Sequence, residues 1–321
     1  MQPYVRMTGE ARMSDLTSPV HRALDADAMR PADIRGTTRI LGVFGDPVEH
    51  SVSPQMHNAA LARLGLPFVY VPFRVVPVAL EQALRSLPAL GIVGVNLTIP
   101  HKERALGLVD EATDEAREVG AINTVHCVGG RLIADNTDGR GFYTPLREAG
   151  FDAASQSVVV IGAGGAARSV VFRLAREGAG AIWLANRAIE RAEALARSVT
   201  DAGYGDRLVR PLALHDATAL GSAMAGSDLL VQTTRAGMYP NSGEIPAIPA
   251  EALHAGMLVY DLIYNPAETR LMALARSRGC AVMGGAKMLV YQGAAAFERW
   301  TGIWPPTEVM EAAVNSSLPA A

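Results

Sequence analysis

Hydrophobic and polar positions along the chain fall into two successive series of the same kind. From Thr38 onward, short apolar runs of β type alternate with stretches whose apolar residues recur at helical spacing. Segments 40–45, 68–75 and 92–99 read as strands, with helices over 53–65 and 79–87 between them. This alternation predicts an open, mostly parallel sheet with helices on both faces. Segments 123–128 and 131–134, joined by Gly129-Gly130, predict a hairpin. A second series opens at Ser157: a strand over 157–162, a glycine-rich turn, a helix, a strand over 181–187 and another helix. Apolar runs at 228–234 and 256–264 continue it. Two such series predict an α/β protein of two domains, divided within 136–151, and a last helix over about 286–300 that suits either half. Residues 1–36 carry mixed charge, little periodicity and no apolar segment of a secretory signal, and read as a flexible arm or an over-extended start. The Asn-Ser-Ser-Leu-Pro at 315–319 reads as a loose end.

Composition narrows the function classes. The chain has 321 residues and a formal net charge of −3, so it lacks the basic surplus of a nucleic-acid or anionic-membrane binder. No run approaches the roughly 18 apolar residues of a membrane span, which predicts a cytoplasmic protein acting on a small molecule. Two cysteines, Cys127 and Cys280, fit a reducing compartment and supply no CxxC metal pair. No metal is expected. Glycine is the outlier: 31 residues, about a tenth of the chain.

Part of that glycine collects where chemistry requires it. The apolar run Val158-Val159-Val160-Ile161 leads directly into Gly162-Ala163-Gly164-Gly165-Ala166-Ala167-Arg168, and helical spacing follows. A strand that turns tightly into a helix can bring its backbone against a pyrophosphate, which the free N–H groups of the helix start then hold. Gly162 makes the turn, Gly164 permits the close approach, and Ala167 takes the third position of the fingerprint. The second strand ends in Asn186-Arg187, with Arg191 four residues on, where an NAD site usually carries an acid for the ribose hydroxyl. An uncharged Asn and two arginines suit a 2′-phosphate, so NADP is the expected cofactor.

The first half carries polar clusters at predicted strand ends. Within Gly45-Asp46-Pro47-Val48-Glu49-His50-Ser51-Val52-Ser53-Pro54, Ser51 and Ser53 offer hydroxyl and N–H groups for a small carboxylate. Ser53 also reads as the cap of a helix whose first residue is Pro54. In Asn96-Leu97-Thr98-Ile99-Pro100-His101-Lys102, alternation points Asn96 and Thr98 to one side, and Lys102 falls at the next turn. Asn123-Thr124 and Asn136-Thr137-Asp138 add further hydroxyl, amide and carboxyl groups. Such a collection suits a polyhydroxylated ligand, and a Lys beside an Asp makes a proton-transfer pair.

From about Arg39 to Trp300 these motifs, in this order, resemble the shikimate dehydrogenase family. The residues that carry the likeness include Ser51-Val52-Ser53, Met56-His57-Asn58, 96–102, 120–124, 136–141, the 162–168 turn, Asn186-Arg187 and Gly237-Met238, then 261–266 and 287–293. The resemblance implies NADPH-dependent, reversible reduction of 3-dehydroshikimate to shikimate, a step toward chorismate and the aromatic amino acids. It implies Lys102 and Asp138 as the catalytic pair. Ser51, Ser53 and Tyr264 would serve the substrate carboxylate, and Asn96, Thr98, Asn123 and Gln292 the ring hydroxyls. Cofactor contacts would come from Gly162, Ala163, Gly164, Gly165, Ala166, Asn186, Arg187, Arg191, Thr233, Gly237, Met238, Gly285 and Met288. It divides the chain after the arm (1–36), which is longer than the family needs, into a substrate-binding domain (37–138, joined by the return of 286–321) and a Rossmann NADP-binding domain (139–285); both lobes are hydrophobic enough to stand alone, so the expectation is a monomer or homodimer. Two features depart from the family pattern: Ala188 stands where Asn-Arg-Thr is common, and Gln232-Thr233-Thr234 replaces Asn-Ala-Thr before Gly237. Quinate or aminoshikimate oxidation on the same scaffold is the neighbouring reading, and Ser53 leans toward shikimate because quinate-preferring relatives tend to carry Thr there. A non-catalytic shikimate or quinate sensor is the reading of another class; a sensor needs no Lys102–Asp138 pair.

Overall fold

The computed structural model describes residues 34–318, so the expected arm lies outside the described residues except at 34–36. The first series comprises β1 (Arg39–Gly45), α1 (Ser53–Leu64), β2 (Phe68–Arg74), α2 (Leu80–Ser86), β3 (Ile92–Leu97), β4 (Glu111–Ala112), α3 (Asp114–Val119), β5 (Thr124–Val128), β6 (Arg131–Asp135) and α4 (Asp138–Glu148). The second comprises β7 (Ser157–Ile161), α5 (Gly165–Arg176), β8 (Ala181–Asn186), α6 (Ile189–Asp201), β9 (Val209–Ala213), α7 (Ala217–Ala225), β10 (Leu229–Gln232), β11 (Leu258–Asp261), α8 (Arg270–Ser277) and β12 (Ala281–Gly284). Two helices close the chain, α9 (Ala286–Thr301) and α10 (Thr307–Ser317).

The first sheet has the order β2-β1-β3-β5-β6-β4. Its β2, β1 and β3 are parallel, and β3 is buried at every residue, as a central strand with a continuous apolar run should be. The other half departs from the mostly parallel expectation: β5 runs antiparallel to β3, and β6 antiparallel to β5. The β5–β6 reversal is the expected hairpin: Gly129 and Gly130 both adopt positive φ (57° and 80°), which turns the chain within two residues. The β3–β5 pairing joins segments about thirty residues apart and has no such local cause. Strand β4, two residues long, pairs parallel with β6 and is too short to leave a periodic signal.

The second sheet, β9-β8-β7-β10-β11-β12, is parallel throughout, in the 3-2-1-4-5-6 order of dinucleotide-binding folds. Both sheets are covered on both faces. One apolar cluster joins Leu41, Val43 and Val93 to α9 residues Phe297 and Trp300; another joins Leu80, Leu84 and Val95 beneath α2. In the second sheet Val158 and Val160 face one cluster, Val159 and Ile161 the other, as strand alternation requires.

Helix α9 serves both halves. Met288 in its first turn is buried with the second core, whereas Val290, Ala294, Phe297 and Trp300 belong to the first. The expected loose end over 315–319 is not found among the described residues. Residues 315–317 continue α10, because Met310 and Val314, four apart and fully buried, seat that helix in the first core.

Candidate active site

The cleft between the two sheets is built from residues at strand ends. Asn96 lies one residue from the end of β3, and the chain then turns through Thr98 to Lys102, whose carbonyl accepts from the Ile122 amide at 2.8 Å. Asp138 is the first residue of α4, where the positive end of the helix dipole favours a carboxylate. Lys102 Nζ donates to Asp138 Oδ2 at 2.5 Å, and the Asp138 side chain is only 3% exposed. A carboxylate removed from water this far needs pairing on each oxygen. Its second oxygen, Oδ1, accepts from Asn123 Nδ2 at 2.8 Å.

Asn123 is the hub of the site. Its two amide hydrogens are shared among Asp138 Oδ1, Gln292 Oε1 (3.1 Å) and Thr137 Oγ1 (2.9 Å), and its oxygen accepts from the Thr137 amide at 2.8 Å. Asn96 Nδ2 donates to the Asn123 carbonyl at 3.1 Å and to Thr124 Oγ1 at 3.2 Å. Asn123 precedes β5 rather than ending a strand; the antiparallel run of β5 brings it to the carboxyl end of β3. Lys102, Asp138, Asn96, Asn123 and Gln292 thus form one connected set, and Thr98 stands half-buried beside it, against Gly45.

The serine loop forms a second set. Ser51 Oγ accepts from the Ser53 amide at 3.3 Å and hydrogen-bonds the Tyr264 phenol. Burial pushes that phenol up, and the Ser51 bond draws it back down. Ser53 is the first residue of α1 with Pro54 second, so Val52, not Ser53, stands at the cap position; the Ser53 hydroxyl makes no capping bond. The helix starts one residue earlier than the capping pattern suggests, because the Met56 amide reaches back to the Val52 carbonyl at 3.1 Å. Across the cleft, the His50 ring meets Tyr239 edge-on at 4.9 Å.

On the second sheet, the turn after β7 is shaped for an anion. Gly162 has φ 110°, and a Cβ there would lie 2.4 Å from Thr233 Oγ1, so only glycine fits. Thr233 is held by its hydroxyl on the Ile161 carbonyl at 2.6 Å. Ala163 is buried, whereas a Cβ on Gly164 would meet nothing within 4 Å and project into open space. Helix α5 begins at Gly165 with no side-chain cap and no acid in its first turn, so its N–H groups point outward from Gly165, Ala166 and Ala167. These features fit a dinucleotide pyrophosphate. A Cβ on Gly165 would stand 3.1 Å from Lys102 Cβ, which puts the turn against the lysine.

The remaining cofactor-side residues divide. Asn186 ends β8 and donates to the Ala188 carbonyl at 2.8 Å, while Arg187 is exposed with no ion pair among the described residues. Arg191 is engaged across the cleft by Glu103, at 3.1 Å. Gly237 adopts φ 93° and leads into Met238, in a loop braced by buried Gln232, whose amide donates to Thr234 Oγ1 and the Ala236 carbonyl. Gly285 precedes α9 and sits hard against the Leu262 carbonyl. Met288 is buried, 8% exposed, in the second core, in the cluster that also holds Ala167 of the turn.

Three family models match the chain: the shikimate dehydrogenase substrate binding domain over residues 43–125, shikimate / quinate 5-dehydrogenase over 146–242, and the shikimate 5′-dehydrogenase C-terminal domain over 285–314. A shikimate dehydrogenase (NADP(+)) of Methanopyrus kandleri is 48% identical over 282 residues, 88% of this chain and 96% of the relative. The chain belongs to the shikimate dehydrogenase family. A crystal structure of a shikimate dehydrogenase in complex with NADP+ superposes with a TM-score of 0.83 at 40% identity, covering 89% of this chain and 98% of that one. The enzyme of Thermus thermophilus, in complex with NADP(H) and shikimate, gives 0.77 at 37% identity, covering 88% and 100%. The two-domain α/β architecture of the family, with a Rossmann-like C-terminal domain, is the one found here.

Two residues that shape this family site escaped the sequence reading. Tyr70 is fully buried and donates to Asn96, yet it looks like an ordinary apolar position of β2. Glu103 follows Lys102 and carries no signal beyond that adjacency. The Met56-His57-Asn58 motif was a signal for Tyr70, since Asn58 and His57 both contact it.

Proposed function

We propose that this protein catalyses the reversible, NADPH-dependent reduction of 3-dehydroshikimate to shikimate. The observation that carries the reading is the placement of Lys102. It is paired to the buried carboxylate of Asp138, joined through Asn123 to a set of amides suited to ring hydroxyls, and in contact with the dinucleotide turn at Gly165. Ser51, Ser53 and Tyr264 hold the substrate carboxylate, and Asn96, Thr98, Asn123 and Gln292 hold its hydroxyls. The reduced nicotinamide supplies the hydride. Lys102 donates its Nζ proton to the carbonyl oxygen as negative charge develops there, and Asp138 keeps the ammonium aimed and stabilised. The uncapped start of α5 and the turn from Gly162 to Ala166 take the pyrophosphate. Asn186, Arg187 and Arg191 take the 2′-phosphate, with Thr233, Gly237, Met238, Gly285 and Met288 completing the cofactor side. In this reading residues 37–138 with the returning C-terminal helices form the substrate domain, and 139–285 the cofactor domain, of a cytoplasmic monomer or homodimer. Among the described residues, no helix is long and apolar enough to cross a membrane.

The test is direct. The purified protein is mixed with NADPH and 3-dehydroshikimate and the loss of NADPH absorbance followed; the reverse reaction compares shikimate with quinate, and NADP+ with NAD+. Turnover with shikimate and NADP+ as the best pair is expected. No turnover, or a higher kcat/KM for quinate, overturns the assignment.

A further inference from the structure

The Met56-His57-Asn58 segment of α1 takes hold of one residue from two sides. Asn58 clamps the backbone of Tyr70: its Nδ2 donates to the Tyr70 carbonyl and its Oδ1 accepts from the Tyr70 amide, each at 2.8 Å. His57 lies flat on the Tyr70 ring, with centroids 4.2 Å apart and planes 9° from parallel. Behind His57 the Phe297 ring continues the stack at 6.2 Å, and both nitrogens of this buried imidazole lack a hydrogen-bond partner. Two buried ring nitrogens left unpaired are costly, so His57 is held by its ring contacts, to Tyr70 on one face and to Phe297 and Trp300 beyond. Tyr70 itself is 1% exposed. Its hydroxyl donates to Asn96 Oδ1 at 2.8 Å, so Tyr70 is joined directly to the hydroxyl-binding set.

The consequence lies in the arithmetic of the Asn96 carboxamide. An amide nitrogen has two hydrogens, and both are used, on the Asn123 carbonyl and on Thr124 Oγ1. A flipped amide would set oxygen against the Asn123 carbonyl, acceptor against acceptor, so the orientation is fixed. Of the two lone-pair directions on Oδ1, Tyr70 fills one. One acceptor direction is all that remains for a ligand.

We infer that Tyr70 is a positioning residue that holds Asn96 in the cleft as an acceptor only, so that the substrate hydroxyl bound there must donate its proton to Asn96 Oδ1. The inference rests on the reading of Asn96 as a substrate contact. It adds a direction to that hydrogen bond and assigns Tyr70, His57 and Asn58 the task of holding it. Without the phenol, Oδ1 loses its only donor among the described residues, while Lys102, Asp138 and the dinucleotide turn keep their own partners.

The experiment measures steady-state shikimate oxidation by the full chain with NADP+, for the wild type, Tyr70→Phe, Asn96→Ala and the double variant. Tyr70→Phe is expected to raise KM for shikimate about tenfold, the effect of one buried hydrogen bond, with kcat within about threefold and KM for NADP+ unchanged. The double variant is expected to be no worse than Asn96→Ala alone, since Tyr70 acts through Asn96. Shikimate analogues carrying fluorine in place of each non-reacting hydroxyl test the direction of the bond. At one position fluorine, which cannot donate, should bind the wild type no better than hydrogen does, and Tyr70→Phe should shrink that penalty. An unchanged KM for shikimate, penalties that add in the double variant, or a parallel rise in KM for NADP+ overturns the inference. Should Tyr70→Phe not fold, Asn58→Ala must show the same selective rise in KM on a smaller scale, and its absence overturns the inference equally. A wild type that does not oxidise shikimate rejects the substrate reading instead, and the two failures are told apart by that first measurement.

Discussion

Arg191 of α6 donates to Glu103 across the cleft at 3.1 Å, one residue beyond Lys102 in the opposite lobe. The side chains are 56% and 46% exposed, so the pair adds little stability. Its interest is positional, because it sets a carboxylate beside the arginine proposed to take the 2′-phosphate. Glu103→Gln should release Arg191 and remove that negative charge, lowering KM for NADPH about two- to fivefold and leaving NADH unaffected. Initial rates with both cofactors, at low and high salt, check this; an unchanged NADPH dependence would separate the pair from cofactor choice.

Arg187 is exposed at the end of β8 with no ion pair among the described residues, so its guanidinium is available. Arg187→Asp should weaken NADPH by about 10- to 100-fold through loss of a charge-assisted contact and gain of a repulsive one. NADH should change far less. Equal losses with both cofactors would reject the phosphate role.

Removal of the Lys102 amine should cost turnover rather than binding. Lys102→Ala is expected to lower kcat by about 10²- to 10⁴-fold, with KM for shikimate within a few-fold, as for a general acid acting only in the transition state. Asp138→Asn should fall in the same direction, because it leaves the ammonium without its 2.5 Å partner. Near-normal kcat in Lys102→Ala would sink the assignment.

Gly141 carries the crossing of α4 and α9. A Cβ there would lie 2.6 Å from Gln292 Cβ and 2.7 Å from its backbone nitrogen. Neither neighbour is a flexible side-chain end, so Gly141→Ala must push the helices apart. It should lower stability by about 1–3 kcal/mol, as overpacking does, and raise KM for shikimate through the displaced Gln292. Denaturant melts and steady-state kinetics on one preparation test both effects.

Two buried groups give opposite pH signatures. Burial holds the His57 imidazole down at about 3, from an ordinary 6.5. Its unfolded form takes up a proton below 6.5 that the native form refuses. The stability linked to His57 is therefore present above 6.5 and lost as pH falls, about 2 kcal/mol by pH 5. Burial pushes Asp261 up to about 6 from 3.8, against the pull of its bonds from Thr269 and the Ile263 amide. Its contribution is present below 3.8 and lost as pH rises through about 6, at most about 3 kcal/mol. His57→Phe should flatten the fall in stability below 6.5, and Asp261→Asn the fall between 4 and 6. Urea midpoints across that range separate the two.

Much of the fold and the candidate site was legible in the chain's local patterns. The run from Val158 to Ile161, the glycines at 162, 164 and 165, and the helical spacing after them specify a local turn, and local spacing is what periodicity and φ preference encode. The first sheet was half legible: the Gly129-Gly130 turn marked the hairpin, but the antiparallel pairing of β5 with β3 is a contact between segments about thirty residues apart. Residues 315–317 looked like a tail because their own composition is polar, and only the burial of Met310 and Val314 makes them helix.

By itself the sequence determined the two α/β series, the cofactor turn, the absent acid after β8 and the identity of the polar groups at strand ends. All of these are local properties, set by side-chain periodicity and backbone preference. Which groups meet was decided only by tertiary structure. Asn123 bonds Gln292 across 169 residues, Arg191 reaches Glu103 across 88, and Tyr70 of β2 finds Asn96 of β3 across the intervening β1 in the same sheet. The Asn123 and Tyr70 partners are selected by the satisfaction of buried polar atoms, and the exposed Arg191–Glu103 pair by the approach of the two lobes, conditions that no short stretch of the chain carries alone.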